Sequence, residues 1–428
     1  MTIPPAVQAQ SLFKVFGRNP KDAVRRLKAG QTRTQVQDAG TAAVIDASFA
    51  VQPGEIFVIM GLSGSGKSTI IRMLNGLLQP TAGEVIVQGV NVTTANPAEL
   101  RRIRRTSMSM VFQHFALLPH RTVLDNAAYG LEIEGVGKAE RRARAREILT
   151  KVGLGDRLDA MPDELSGGMK QRVGLARGLA AGTDILLMDE AFSALDPLIR
   201  RELQEQLVEL QQELGRTIIF ITHDLNEAMF LGDRIAVMRD GRIVQTGTPE
   251  EILTDPANDY VAQFVQDVDR ARVLTAAAVM ERPLFVPVTA GVRGALRIMR
   301  EEQIGEVFVV DGRRLVGVVT DRRVIRAVKD GERDLRTIAD PAVRRVGPDD
   351  LLTDLVEHAV GSPVSLPVVD AEGRLLGVIP RITLLAALGN VPATTAALPI
   401  IPATALQLAE EIADLEPNAL ATAAGGEQ

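Results

Sequence analysis

Short apolar runs that end in glycine or an acid recur through the first 260 or so residues, and stretches of helical spacing stand between them. EIFVIMG (Glu55 to Gly61) is apolar and bounded by polar residues, so it predicts a buried strand. KSTIIRMLNGLL follows with helical spacing. SMSMVFQ (Ser107 to Gln113) predicts a strand that ends at Gln113, and Lys138 to Val152, rich in Arg, Ala and Glu, predicts a helix. DILLMDE (Asp184 to Glu190) and TIIFITH (Thr217 to His223) are continuous apolar runs, as parallel strands covered on both faces require. DRIAVMRDGRIVQTGTPEEIL predicts a strand, a DG turn, a second strand and a helix opened by Thr248-Pro249. Alternation of this kind predicts an α/β architecture.

The texture changes near Asp269. VFVVDGRRLVGVVTDRRVIRAV (Val307 to Val328) and LPVVDAEGRLLGVIPRITLLAAL (Leu366 to Leu388) share one pattern of strand, turn, strand and helix. The repeat is roughly 60 residues, an internal duplication in which two half-bare sheets can cover each other. The expected division is 1–265, 270–330, 331–390 and a mobile tail over 391–428, rich in Ala, Thr and Pro.

Composition narrows the class only a little. The chain has 428 residues, 46% hydrophobic and 24% charged, with 3% aromatic and no Trp, so its core rests on Leu, Ile, Val and Ala. A net charge of -6 argues against a nucleic-acid partner. Cysteine is absent, which removes disulfide and thiol chemistry. The opening MTIPPAVQAQSLFKVF lacks the features of a signal peptide, and no apolar run reaches the roughly 18–20 residues that a spanning helix needs.

The chemistry begins at GLSGSGKST, comprising Gly61, Leu62, Ser63, Gly64, Ser65, Gly66, Lys67, Ser68 and Thr69. It matches G-x-x-x-x-G-K-[ST] between a predicted strand and a predicted helix, the setting in which backbone N–H groups wrap phosphates. Lys67 would supply a cation to the β- and γ-phosphates of ATP, and Ser68 a hydroxyl to Mg²⁺. Asp189, closing its strand, suits Mg²⁺ through the hydration shell, and Glu190 beside it suits a general base. His223 follows an apolar strand and precedes Asp224, whereas His114, His120 and His358 read as structural. LSGGMKQRVGLAR (Leu165 to Arg177) adds a second serine and glycine start ahead of a helical pattern, and a helix N-terminus attracts anions.

With LSGG in place, Ser11 to Phe264 resembles the ATP-binding subunits of ABC transporters. The resemblance implies a P-loop NTPase cassette with a helical subdomain. Ser166, Gly167 and Gly168 then correspond to the signature loop, Gln113 to the Q-loop glutamine and Ser193 to Asp196 to the D-loop. His223 corresponds to the switch histidine, and Phe16 to the aromatic that stacks on adenine. It also implies two cassettes packed antiparallel, with each ATP between the P-loop of one copy and the signature loop of the other. One cassette per chain makes this a homodimer.

A closer resemblance, up to about Asn390, is to the ATPase subunits of glycine betaine/L-proline osmoprotectant importers. It rests on the insert FGRNPKDAVRRLKAGQTRTQVQDAG, the run FALLPHRTVLDNAAYG after Gln113, and a C-terminal pair similar to tandem CBS domains. The implied partners are an integral-membrane permease and, indirectly, an extracytoplasmic substrate-binding protein. The implied location is peripheral, on the cytoplasmic face of the inner membrane. Importers of choline or carnitine, and a regulatory ATPase outside transport, are the alternatives. Where CBS pairs hold ribose with Asp or Asn, this chain has Arg323 after Thr320 and Thr383 after Pro380, so an adenosyl ligand is not expected. Arg313, Arg314, Arg322, Arg323, Arg326, Arg344 and Arg345 read either as a solvated face or as a contact for anionic lipid that salt would weaken.

Overall fold

The continuous apolar runs lie side by side in a parallel sheet. The computed structural model describes residues 4–113, 116–193, 195–266 and 268–389. The chain divides into two units, Met1–Val268 and Asp269–Gln428. The tail expected over 391–428, together with His114, Phe115 and Ala194, lies outside the described residues.

In the first unit the strands are β1 (Val7–Phe16), β2 (Thr41–Val51), β3 (Ile56–Gly61), β4 (Ala82–Val87), β5 (Val90–Asn91), β6 (Met108–Val111), β7 (Ile185–Asp189), β8 (Thr217–Thr222), β9 (Arg234–Arg239) and β10 (Arg242–Gly247). The helices are α1 (Pro20–Lys28), α2 (Lys67–Leu74), α3 (Pro97–Thr106), α4 (Val123–Ala127), α5 (Tyr129–Glu134), α6 (Lys138–Lys151), α7 (Gly167–Ala180), α8 (Pro197–Leu214), α9 (Leu225–Leu231), α10 (Pro249–Thr254) and α11 (Asp259–Phe264).

One sheet runs in the order β10-β9-β3-β8-β7-β6. All its pairs are parallel except β10 with β9. Every residue of β3, β7 and β8 is buried, which is why these strands read as unbroken apolar runs. The other sheet, β2-β1-β4-β5, is antiparallel and departs from the expected strand and helix alternation. Its strands alternate only imperfectly, because bulges interrupt the pairing of β1 with β2. Helix α2 fills the space between the two sheets. Ile70, Ile71, Met73 and Leu74 share one core with Val7, Leu12 and Val85 on one side and Phe57, Leu187 and Ile219 on the other. That burial fixes the axis along which the P-loop points. Helix α1, formed by the insert, packs Ala23, Val24 and Leu27 against Phe13, Val15 and Ile45. Helices α4 and α6 pack on α7, forming a helical layer behind the signature segment.

The second unit repeats helix, strand, strand and helix. The first copy has Gly291–Glu301, β12 (Glu306–Asp311), β13 (Arg314–Thr320) and Asp321–Lys329, with β11 (Phe285–Pro287) added beside β12. The second has Leu352–Gly361, β14 (Leu366–Val369), β15 (Leu375–Ile379) and Arg381–Leu388. Phe308, Val310, Leu315 and Val318 of one copy share a cluster with Leu375 and Val378 of the other, so the two half-bare sheets do cover each other.

Candidate functional site

Gly61 closes β3 and Lys67 opens α2, so the loop between them lies at the carboxyl end of the parallel sheet, where α/β folds place their ligands. Two glycines are geometrically required. Gly61 has φ +151° and Gly66 φ +106°. A Cβ on Gly61 would stand 2.3 Å from the carbonyl oxygen of Met238, and one on Gly66 would stand 2.3 Å from that of Ala43. Leu62, Ser63 and Gly64 form the exposed tip of the loop, while Ser65 is buried. The Ser65 hydroxyl has no hydrogen-bond partner among the described residues. The first-turn amides of α2, those of Lys67, Ser68 and Thr69, precede the helix's own acceptors, as at any helix start. Thr69 N–H is the exception, donating to Gly66 O at 3.0 Å.

Lys67 is buried, and its Nζ donates to Gly61 O at 2.7 Å and Leu62 O at 3.2 Å. Burial pulls this ammonium below the ordinary lysine range, against the pull of the Glu190 and Asp189 carboxylates. Burial likewise pushes the Asp189 carboxyl up, opposed by the hydrogen bond from Ser68. That bond, Ser68 Oγ to Asp189 Oδ1, is 3.0 Å long. A hydroxyl and a carboxylate already side by side are hard oxygen donors of the kind Mg²⁺ takes when phosphates supply the rest. The residues present therefore fit a magnesium nucleotide.

Glu190 leaves β7 with φ +47°, a left-handed backbone uncommon for a residue with a side chain. Its amide still donates to Ile221 O of β8 at 3.0 Å, so the turn stays anchored to the sheet. Its Oε2 accepts from Gln113 Nε2 at 3.3 Å and lies 3.2 Å from His223 Nδ1. The strand order explains this meeting. β6, β7 and β8 are neighbours, and Gln113, Glu190 and His223 each follow one of them. β6 stops at Val111, however, so Gln113 stands in a turn two residues past the strand rather than ending it. The His223 side chain is half exposed. Phe16 closes β1 as an exposed ring, with Lys14 Nζ 5.1 Å from its centroid.

The signature segment is a separate place. Ser166 is the N-cap of α7, accepting from Met169 N–H at 3.4 Å. Gly167 and Gly168 lie inside the first helical turn rather than ahead of it. A cavity of about 500 Å³ opens here, lined by Ser166, Gly167, Gly168, Arg172, Leu195 and Asp196 among others. None of its lining residues belongs to the P-loop.

Two residues here were not singled out from the sequence. Glu227 of α9 is buried, and Arg200 of α8 donates to Asp224, next to His223. An acid in DLNEAMF and an arginine in DPLIRRE look like solvated helix charges, and only the packing of α8 on α9 reveals them.

Comparison with known proteins agrees with this geometry. The ABC transporter family profile matches residues 44–193, and that of the CBS domain matches 276–330 and 335–390. The chain is 47% identical over 390 residues to the glycine betaine transport ATP-binding protein OpuAA of Bacillus subtilis, covering 90% of this chain and 93% of that one. It is 49% identical to the glycine betaine/carnitine transport ATP-binding protein GbuA of Listeria monocytogenes, covering 90% and 98%. A solved dimeric post-hydrolysis state of the ATP-binding cassette MJ0796, bound to ADP and Pi, superposes with a TM-score of 0.50 at 31% identity, over 57% of this chain and 98% of that one. The chain belongs to the ABC transporter family, as an ATP-binding subunit that carries a tandem CBS pair.

Proposed function

We propose that this chain hydrolyses ATP to drive uptake of a glycine-betaine-type osmoprotectant through a membrane permease, working as a homodimer. Near-full-length similarity to glycine betaine transport ATP-binding proteins supports the solute class. The observation that carries the chemistry is the Glu190 carboxylate, held between Gln113 and His223 one residue beyond the Ser68–Asp189 pair.

In this reading the loop from Gly61 to Thr69 wraps the phosphates and Lys67 contacts the β- and γ-oxygens. Ser68 and Asp189, with Gln113, would hold Mg²⁺, which would supply positive charge against the phosphates. Phe16 stacks on adenine. Glu190 takes a proton from the water that attacks the γ-phosphorus, while the bond to the β-phosphate oxygen breaks. His223 contacts the γ-phosphate and orients the Glu190 carboxylate. Ser166, Gly167 and Gly168 of a second copy close over the same γ-phosphate. The separation of the signature cavity from the P-loop within one chain favours this shared arrangement. The solved dimer of a similar cassette, bound to ADP and Pi, supports it as well.

We assign 1–265 to the cassette and 270–330 and 331–390 to regulatory repeats. No helix among the described residues is long and apolar enough to cross a membrane, which suits a peripheral subunit on the cytoplasmic face. A substrate-binding protein would act on the far side, and anionic lipid is the proposed contact of the second unit. The test is uptake of labelled glycine betaine at high salt, with and without Lys67→Ala, in cells lacking other betaine importers. Uptake that Lys67→Ala leaves intact overturns the reading. Uptake of choline or carnitine in place of betaine changes only the solute.

A further inference from the structure

We infer that Arg200 is a positioning residue for hydrolysis, its guanidinium tying the loop before α8 to the segment that carries His223, through Asp224 and the buried carboxyl of Glu227. The inference rests on the reading of His223 given above.

Arg200 stands in the first turn of α8 and reaches three ways. Nη2 donates to Leu195 O at 3.2 Å, in the loop that leads into α8. Nη1 donates to Asp224 Oδ2 at 3.0 Å, one residue past His223. Nε lies 3.7 Å from Glu227 Oε1.

Glu227 gathers the rest. It is 4% exposed. Thr222 Oγ1 donates to its Oε2 at 2.5 Å and Gln204 Nε2 to its Oε1 at 3.1 Å. Thr222 Oγ1 also accepts from Asp224 N–H at 2.9 Å. Asp224 Oδ1 in turn caps α9, accepting from Asn226 and Glu227 N–H at 2.9 and 3.3 Å. Both chain neighbours of His223 are therefore fastened to one buried cluster, while its imidazole stays half exposed and 3.2 Å from Glu190. Burial pushes the Glu227 carboxyl upward, opposed first by the Thr222 hydroxyl.

The tie is unfinished in the single chain. Arg200 Nε is buried and has no hydrogen-bond partner among the described residues. A small movement of the start of α8 toward α9 would bring it onto Glu227. The loop before α8 also lines the cavity at Ser166 to Gly168, through Leu195 and Asp196. Whatever a partner copy does to that loop therefore reaches the backbone on both sides of His223. The three acceptors meet three different nitrogens of one rigid planar guanidinium, whereas a lysine would bring one compact ammonium on a flexible stem that cannot span all three positions.

The experiment uses the full chain reconstituted with its permease in lipid vesicles, measuring ATPase against ATP concentration alongside thermal melting. Arg200→Lys keeps the charge and most of the packing. It is expected to melt near the wild type yet lose about tenfold or more in kcat, with KM changed by no more than about twofold, as loss of a transition-state arrangement requires. Asp224→Asn keeps the cap of α9 and weakens the Arg200 contact, and the same kcat loss is expected. An Arg200→Lys variant that melts and turns over normally overturns the inference. If that variant fails to fold, Asp224→Asn turning over at the wild-type rate overturns it instead. His223→Ala separates the two readings. If it stays active, the role of His223 falls; if it is dead while Arg200→Lys and Asp224→Asn are normal, only the role of Arg200 falls.

Discussion

His223 Nδ1 lies 3.2 Å from Glu190 Oε2, and Gln113 Nε2 approaches the same oxygen at 3.3 Å. One carboxylate oxygen thus has two orienting partners from two neighbouring strand ends. The amide and the imidazole together fix the carboxylate's direction. Glu190→Gln would keep the shape and lose the proton acceptor. General-base contributions of about 10²–10⁴-fold are usual, so kcat should fall by at least that order while ATP stays bound. Single-turnover hydrolysis and retained nucleotide on the purified subunit check it. The variant should also accumulate as the ATP-held dimer, visible by size.

Two of the three positive-φ glycines of the P-loop, Gly64 and Gly66, predict different failures. Gly64 has φ +79° with open space where a Cβ would go, whereas Gly66 has φ +106° and the Ala43 carbonyl 2.3 Å away. Gly64→Ala should cost about 1–2 kcal/mol, from backbone strain alone. Gly66→Ala must move the start of α2 or strand β2, and its cost should reach the upper part of the roughly 1–3 kcal/mol range for strained sites. Thermal melting gives the order of the two. ATP affinity should fall much further for Gly66→Ala, because the moved amides are those that face phosphate.

Much of this site is legible in the sequence because each chemical residue sits where an apolar run stops. Gly61, Asp189 and His223 all mark such ends, and full burial of β3, β7 and β8 makes the runs easy to see. Strand order is not legible in the same way. That Gln113 meets Glu190 depends on β6 lying beside β7, which no local pattern encodes. The antiparallel sheet β2-β1-β4-β5 was hidden because the bulges of β1 around Ser11 and Leu12, and the adjacent buried residues Val44 and Ile45 of β2, break the period of two. Glu227 was hidden for a different reason. Burial of an acid depends on partners, Gln204 of α8 and Thr222 at the end of β8, that only the packing of α9 brings to it.

Asp189 sets function against stability. Burial raises its carboxyl pKa in the folded chain. A raised folded pKa contributes stability that is fully present below the unfolded value and is lost as pH rises through the folded value. Wherever it is ionised, the buried carboxylate therefore burdens the nucleotide-free cassette. Lys67 has the opposite shift, with stability present above the unfolded lysine value and lost as pH falls through the lowered one. In both groups the charged form is the one that burial disfavours in the fold. Asp189→Asn still accepts from Ser68 and removes one of these charges. It should melt higher than the wild type at pH 7–8 without nucleotide, and the gap should close as pH falls toward the carboxylate range. The added stabilisation that ATP gives with magnesium over ATP with a chelator should vanish in the variant.

The arginines of the second unit are not equivalent, and their differences make the salt-sensing reading testable. Arg323 is engaged within the unit, 3.3 Å from Asp340 and donating to Ile338 O at 3.4 Å, and Arg345 donates to Leu315 O at 3.3 Å. Arg322 and Arg326, on the helix Asp321–Lys329, are exposed, and neither forms an ion pair among the described residues. Attraction from such free charges to anionic headgroups is screened over a Debye length that shrinks from about 10 Å at 0.1 M to about 3 Å at 1 M salt. If that attraction holds the transporter off at low salt, removing part of it should move activation to lower salt. Arg322→Gln with Arg326→Gln should shift the midpoint of uptake against internal salt downward in vesicles rich in anionic lipid. In vesicles of neutral lipid the same pair should change nothing. Arg323→Gln, by contrast, should lower the melting temperature of the second unit while moving the midpoint little, because its charge is already paired with Asp340. Equal midpoints for the double variant and the wild type on anionic vesicles would reject lipid as the partner of this helix.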